Sequence, residues 1–271
     1  MLKGKITMKK DVVAGLGEIG SAILKLLSKK QIIVGYDLDK RLVNESKLKK
    51  YQDTATSFLH IAIPVTQKFD SNLLKLYKKF KPECIVIHST ISPGTTTKLQ
   101  IKFNIPIIYS STRGVHKTML KDLKRYTKFF AISKNAPKKQ WAITSFSKKM
   151  KFAGIKTKQM STPETLELAK IICDTSYLGW LVNYAQISNL IAQKFGVNYD
   201  EMWSFSDEIH KFLGNRPKMF PGFIGGHCVI PNLKLLNNES LNLINEFNEF
   251  YDKEFKDAKT ITKKHNQKLN R

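Results

Sequence analysis

Asp11-Val12-Val13-Ala14-Gly15-Leu16-Gly17-Glu18-Ile19-Gly20 is an apolar, β-branched run that breaks into three glycines at G-x-G-x-x-G spacing. The run reads as a strand, and Ile19, Ile23, Leu24 and Leu27 then recur at helical spacing. A second strand, Ile32–Tyr36, delivers Asp37, 22 residues after Gly15. Glycine spacing alone is a weak signal, but strand, glycine turn, helix and acid in this order form the context that dinucleotide binding requires. Gly15 permits the tight turn, Gly17 lets backbone approach a pyrophosphate, and Gly20 lets helix and strand pack closely. The first helical turn, Glu18 and Ile19, offers N–H groups and a partial positive charge. Asp37 is placed to accept hydrogen bonds from ribose hydroxyls, and its carboxylate repels a 2′-phosphate, so NAD is expected over NADP. Lys40 and Arg41 close by moderate that preference.

The pattern continues outward from this unit. Further strands are expected at Leu59–Ile63, Cys84–His88, Ile105–Tyr109 and Phe129–Ile132, with a last one near Phe152–Ile155. Amphipathic stretches alternate with them, which implies an α/β fold with a mainly parallel sheet of Rossmann type over residues 1–160. The character then changes. Ser161-Thr162-Pro163-Glu164 is a helix start, and an apolar helical pattern follows to about Lys194. Roughly thirty residues make a helix of about 45 Å, long enough that one face (163–195) is expected to pack on a second copy as a homodimer. A helix over Tyr199–Phe212, a glycine-rich loop at Pro221–Cys228 and a helix from Asn232 to Phe255 complete a mainly helical dimerisation and catalytic domain, 161–255. The basic tail, 256–271, is expected to be flexible.

Composition bounds the function classes. Hydrophobic residues at 42% and charged residues at 25% fit a globular chain. No apolar run reaches the roughly 20 residues of a membrane span, and no signal-like segment opens the chain, so a cytoplasmic location is expected. Cys84, Cys173 and Cys228 have no paired spacing, which implies neither a disulfide framework nor a metal site and leaves one reactive thiol to look for. The net charge of +24 is carried almost wholly by Lys spread along the chain. Without arginines and aromatics interleaved on one face, nucleic acid is not expected as a partner; a small anionic substrate is, because a basic cleft attracts one.

Three further segments carry a specific resemblance. His88-Ser89-Thr90-Ile91-Ser92-Pro93-Gly94-Thr95-Thr96 resembles the S-T-x-x-P-G-T-T segment of the UDP-glucose/GDP-mannose dehydrogenase family. Gly225-Gly226-His227-Cys228, with Pro231 beyond, resembles that family's G-G-H-C-I-P loop, and Glu164-Thr165-Leu166-Glu167-Leu168-Ala169-Lys170 resembles the E-x-x-E-x-x-K opening of its long central helix. The segments occur in the family's order over nearly the whole chain. The resemblance implies a 6-phosphogluconate-dehydrogenase-like architecture and oxidation of a sugar or nucleotide-sugar alcohol with NAD, in the family from alcohol to carboxylate. It makes Cys228 the nucleophile that captures an aldehyde as a thiohemiacetal, and Lys170 the group that favours the thiolate or stabilises the oxyanion. Thr90 would hold the hydrolytic water, Pro64, Ser89 and Thr90 would touch the cofactor, and Gly225, Gly226 and His227 the substrate.

Four departures qualify the resemblance. Asp174 stands where the family's helix has Asn, and Asn232 where its loop has Asp, as if amide and carboxylate had exchanged places; Lys170 and Asp174 share one helix face. Drift at two unused positions is the alternative. After the fifth strand the family's S-P-E glutamate is missing from Ser110-Ser111-Thr112-Arg113-Gly114-Val115-His116. Arg113 there suits an anionic group and His116 a general base, which favours a two-electron step. The chain also ends where the family's third, nucleotide-binding domain would begin, implying a smaller substrate or a partner chain. Two other readings therefore stand beside the first: a β-hydroxyacid or 6-phosphogluconate dehydrogenase-like enzyme using Lys170 with Cys228 incidental, and a non-catalytic NAD-binding subunit.

Overall fold

A computed structural model describes residues 8–29, 31–207, 209, 212, 220–226, 228–235, 239–255, 259–260 and 262–263. The chain divides into two compact units, Met1–Leu168 and Ala169–Arg271.

The first unit is built on seven strands: β1 (Lys10–Ala14), β2 (Ile33–Tyr36), β3 (Thr56–Ile61), β4 (Cys84–Ile87), β5 (Ile107–Tyr109), β6 (Lys128–Ile132) and β7 (Thr157–Gln159). Their order across the sheet is β2-β1-β3-β4-β5-β6-β7. Every pair is parallel except β5 with β6. The central strands are buried along their whole length, as a parallel sheet covered on both faces requires. Alternation divides their side chains into two cores. Val13, Phe58, Val86, Ile108 and Phe130 pack beneath α1 (Glu18–Leu27), α5 (Met119–Arg125) and α6 (Lys139–Phe152). Val12, Leu59, Ile61, Ile85, Ile87 and Ile107 pack beneath α3 (Phe69–Phe80) and α4 (Thr95–Lys102), with Leu48 of α2 (Glu45–Lys50) at the margin. Strand β1 lies between β2 and β3, so the chain reverses its direction of travel across the sheet there, and the crevice beyond its carboxyl end is where such sheets bind ligands.

Two sequence expectations need correction. The apolar run Phe152–Ile155 is not a strand: α6 continues through Phe152 because Ala142, Phe146 and Met150 keep its helical face buried, and Gly154 at φ 78° ends it in the left-handed region. The seventh strand follows at Thr157–Gln159, a lysine-flanked edge. The helix expected from Asn232 begins earlier and is divided: Val229–Leu233 is one short helix and Glu239–Glu254 another. Pro231 lies within the first turn of the former, where its missing N–H costs nothing, and Val229, Leu233, Leu241 and Ile244 close one apolar cluster between the two.

In the long helix Thr162 caps the start through the Thr165 N–H, at 3.1 Å. The helix then runs as α7 (Pro163–Ala169), a π-helical segment Lys170–Ser176 and α8 (Tyr177–Lys194). The next helix covers Tyr199–Ser204, and within the remaining expected span to Phe212 residues 208, 210 and 211 lie outside the described residues. From the basic tail, Thr262 accepts the Phe223 N–H at 2.9 Å. No helix among the described residues is long and apolar enough to cross a membrane.

Candidate functional site

The three glycines have three different surroundings. Gly15 sits at φ 90°, and a Cβ there would meet the Ala62 carbonyl oxygen at 2.4 Å. A Cβ on Gly20 would lie 1.7 Å from the Gly15 carbonyl oxygen, so only glycine lets α1 start this close to the turn. Gly17 has ordinary dihedrals and nothing within 4 Å of a built Cβ. It is exposed at the head of α1 with no side chain capping it, an open approach to backbone N–H groups at a helix start. Glu18 is exposed and Ile19 packs against the core below.

Asp37 is tied to this loop. Its Oδ2 accepts the Leu16 N–H at 2.6 Å and its Oδ1 the Asp39 N–H at 2.9 Å, so the carboxylate joins the ends of β1 and β2. Arg41 is turned away onto Asp39, with Nε to Oδ1 at 2.9 Å and Nη2 to Oδ2 at 2.7 Å. Across the crevice, Ser89 is buried and donates to the Ile63 carbonyl at 2.6 Å, Thr90 is half-buried and Pro64 is exposed. The residues present fit a dinucleotide: an open glycine at a helix start, two close-packed glycines around it, and an anchored carboxylate 22 residues on.

Two of the segments that carry the resemblance grip one another. Glu167, fully buried on α7, accepts the Gly94 N–H at 2.6 Å, the Thr96 N–H at 3.0 Å and the Thr96 hydroxyl at 2.6 Å. Glu164 accepts the Thr97 hydroxyl. Glu167 thus caps the start of α4, and Glu164 adds a side-chain bond beside it. Burial pushes the Glu167 carboxyl above its ordinary value while these bonds pull it back.

The loop after β5 is cationic. Arg113 is exposed, donates to the Thr127 carbonyl at 2.8 Å and lies 5.0 Å from the Phe129 ring centroid. Lys128 is buried beneath it, donating to the Ser110 and Ser111 carbonyls and the Thr112 hydroxyl at 3.0, 3.2 and 3.1 Å. Asp122, the first carboxylate to follow, accepts from the Val115 N–H and the Thr118 hydroxyl, and these bonds hold it below the usual carboxylate range. The side chain of His116 and the whole of His227 lie outside the described residues.

In the second unit the π-helical segment carries Lys170 and Asp174, whose side chains form an ion pair; Lys170 is 12% exposed and Asp174 42%. π-helical turns are rare and concentrate at functional sites. The helix Val229–Leu233 packs against this segment. Cys228 is the residue at its head and is exposed, Asn232 lies one turn later and is half-buried, and Gly225 and Gly226 before it are exposed. Folding therefore brings the element that starts with Cys228 onto the one that bears Lys170 and Asp174.

Sequence reasoning missed two polar groups. Across the first core run Asp11, His60 and His88. His88 Nδ1 lies 3.0 Å from the Ser110 carbonyl oxygen and so carries the proton; its Nε2 accepts from His60 Nδ1 at 2.9 Å. His60 Nε2 is left as an acceptor with no hydrogen-bond partner, 4.0 Å from Asp11 Oδ2, which Lys149 neutralises at 2.8 Å. Burial pushes His60 down to about 3 and His88 well below its ordinary value, and raises Asp11. The second group is a set of amides, Asn183, Gln186, Asn189 and Asn248, buried between α8 and Glu239–Glu254. Both were detectable as polar residues at core-phase positions: His60 between Leu59 and Ile61, Asn248 between Ile244 and Tyr251.

No protein-family model matches the sequence, and no curated protein matches it. Solved structures do. A UDP-D-ManNAc dehydrogenase from Pyrococcus horikoshii superposes with a TM-score of 0.70 at 17% identity, over 89% of this chain and 68% of that one. A UDP-glucose dehydrogenase from Pyrobaculum islandicum gives 0.69 at 17%, over 93% and 70%. A 3-hydroxyisobutyrate dehydrogenase from Mycobacterium tuberculosis, in a structure with L-serine, gives 0.64 at 14%, over 93% of this chain and 95% of that one. The chain therefore has the fold of these Rossmann-type dehydrogenases: a mostly parallel sheet domain followed by helices.

Proposed function

We propose that this chain is an NAD-dependent oxidoreductase acting on an alcohol of a sugar or nucleotide sugar, with Cys228 and Lys170 in its active site. One observation carries the reading: the helix headed by Cys228 packs on the π-helical turn that bears Lys170 and Asp174. Gly15, Gly17, Gly20 and Asp37 would hold the dinucleotide, with Glu18, Ile19, Pro64, Ser89 and Thr90 around it. When bound, the nicotinamide supplies a hydride acceptor. The protein's own part is acid–base and nucleophilic. Lys170, held by Asp174, stabilises negative charge on a substrate oxygen or favours the Cys228 thiolate. The thiolate adds to the carbonyl carbon that the two-electron step produces, forming a C–S bond as the carbonyl oxygen takes the negative charge; collapse of this adduct re-forms the carbonyl, breaks the C–S bond and returns the thiolate as the aldehyde leaves. By the resemblance, Asn232, Gly225, Gly226 and His227 would serve the sugar, and Arg113 and His116 would suit an anionic group. With no carboxylate between Ser110 and Lys121, the reaction stops after two electrons.

An exposed face on the long helix supports a homodimer. Tyr177, Leu178, Trp180, Tyr184 and Ile191 are exposed, whereas Asn183, Gln186 and Asn189 are buried. Helix α8 thus turns amides inward and apolar side chains outward, a patch of the kind that marks association. A second reading is favoured by the match along nearly the full length of the 3-hydroxyisobutyrate dehydrogenase. In it Lys170 is the acid–base group, Arg113 clamps a carboxylate, and Cys228 is incidental.

The test is NADH absorbance with nucleotide sugars, sugar phosphates and hydroxy acids, measuring NADH formed per substrate. One NADH per nucleotide sugar is expected, and Cys228→Ser should abolish turnover. Two NADH per substrate contradicts the two-electron step, and turnover of a hydroxy acid by Cys228→Ser selects the second reading. NAD binding with no substrate-dependent NADH contradicts both.

A further inference from the structure

The loop leading to Cys228 has side chains in place of a neighbouring strand. Asn248 accepts the Ile224 N–H at 2.7 Å and donates to the Ile224 carbonyl at 3.3 Å, so one buried amide pairs both backbone groups of one residue. Gln186, fully buried on α8, donates to the Gly222 carbonyl at 2.8 Å and to Asn248 Oδ1 at 3.2 Å, while its Oε1 accepts from Asn183 at 2.8 Å. Tyr251 donates to the Pro221 carbonyl at 2.8 Å and accepts from Asn189 at 2.8 Å. Burying amides is costly unless they are satisfied, and apolar side chains would pack these positions without that cost. What these two hydrogen-bonded sets, Asn183–Gln186–Asn248 and Asn189–Tyr251, add over an apolar core is a fixed course for Pro221–Ile224. Just beyond, Gly226 turns the chain at φ 78° and Cys228 begins the helix seated on the π-helical turn.

We propose that Asn248 and Gln186 are positioning residues for the Cys228 loop: they dictate its backbone, and through it the place of the thiol. The catalytic consequence rests on the dehydrogenase reading of Cys228; the structural one does not. Neither residue is a catalytic residue, since both act through loop backbone. Asn248→Asp removes the donor to the Ile224 carbonyl, and Gln186→Met removes the bonds to Gly222 and Asn248 at similar volume.

The experiment alkylates the holoenzyme with iodoacetamide and follows Cys228 and Cys173 peptides by mass spectrometry, Cys173 being an exposed reference outside the loop. In each variant that keeps the native circular dichroism, the Cys228-to-Cys173 rate ratio should change by about fivefold or more. Its kcat should fall by about a hundredfold with KM held within about twofold. A native-like variant with an unchanged ratio overturns the proposal. On the unaltered chain, hydrogen exchange gives an arm that needs no variant: the Ile224 amide should exchange about a hundredfold slower than an unstructured amide, and exchange at the unstructured rate overturns the proposal. If the ratio shifts but Cys228→Ser still turns over, the anchoring holds and the nucleophile reading fails.

Discussion

A single added carbon separates the roles of the glycines at the head of α1. On Gly20 it falls 1.7 Å from a backbone oxygen that cannot move without unmaking the turn; on Gly17 it meets nothing within 4 Å. Gly20→Ala should therefore destabilise the fold by about 3 kcal/mol or more, read as a lower urea midpoint. Gly17→Ala should leave that midpoint unchanged and weaken NAD binding by about tenfold in titration calorimetry, because the methyl occupies the approach to the helix start. Equal stability losses in the two variants would contradict these assignments. Such differences were legible in the sequence, since the motif's order of strand, turn, helix and acid assigns each glycine its task. The partner of Asp37 was not: the carboxylate's bonds to the Leu16 and Asp39 N–H groups depend on how two loops meet at a sheet edge.

At the scale of elements, two segments read from the sequence for their chemistry also prove to hold each other. Glu167→Ala would leave the Gly94 and Thr96 N–H groups without an acceptor in a buried place, at a cost of about 3 kcal/mol; Glu167→Gln, which keeps one acceptor oxygen, should lose about half of that in the same urea titration. A loss below about 0.5 kcal/mol for the alanine would mean that α4 is capped by other means. Helix α8 makes its own prediction. A helix with buried amides and exposed Trp180 and Tyr184 needs a covering surface, so a Trp180→Glu, Tyr184→Glu double variant should shift the protein from dimer to monomer in sedimentation velocity at micromolar concentration. A wild-type monomer under the same conditions would contradict the proposed association. The element boundaries show where periodicity fails: Phe152–Ile155 has a strand's composition, but Gly154 is a helix stop, and a helix that turns polar residues inward gives hydrophobic spacing no clear phase.

For the molecule as a whole, acid sensitivity follows from the buried histidine pair. His60 and His88 are neutral when folded, with His60 pushed down to about 3, whereas in the unfolded chain they bind protons below about 6.5. Their contribution to stability is therefore complete above pH 6.5 and is lost as pH falls below it, at up to about 1.4 kcal/mol per pH unit for each. Asp11 opposes this trend, because its raised carboxyl takes up a proton first in the folded state. Denaturant titrations between pH 7 and 5 should show falling stability, and His60→Leu should flatten the slope; an unchanged slope in that variant would contradict the neutral assignment. The sheet and the order of the site segments could be read from sequence because both depend on local pattern. The meeting of Lys170 with the helix headed by Cys228 was implied by the family resemblance and not by local pattern, since it depends on distant residues such as Leu233 and Ile244 packing together. That meeting is the central claim, and the alkylation rate of Cys228 at pH 7 in Lys170→Met tests it most directly. A thiol that shares its site with the ammonium should lose reactivity by about fivefold when the charge is removed, read as the absolute rate constant of Cys228 because Cys173 lies on the same π-helical segment as Lys170; an unchanged Cys228 rate would place the amine and the thiol in separate sites and contradict the account.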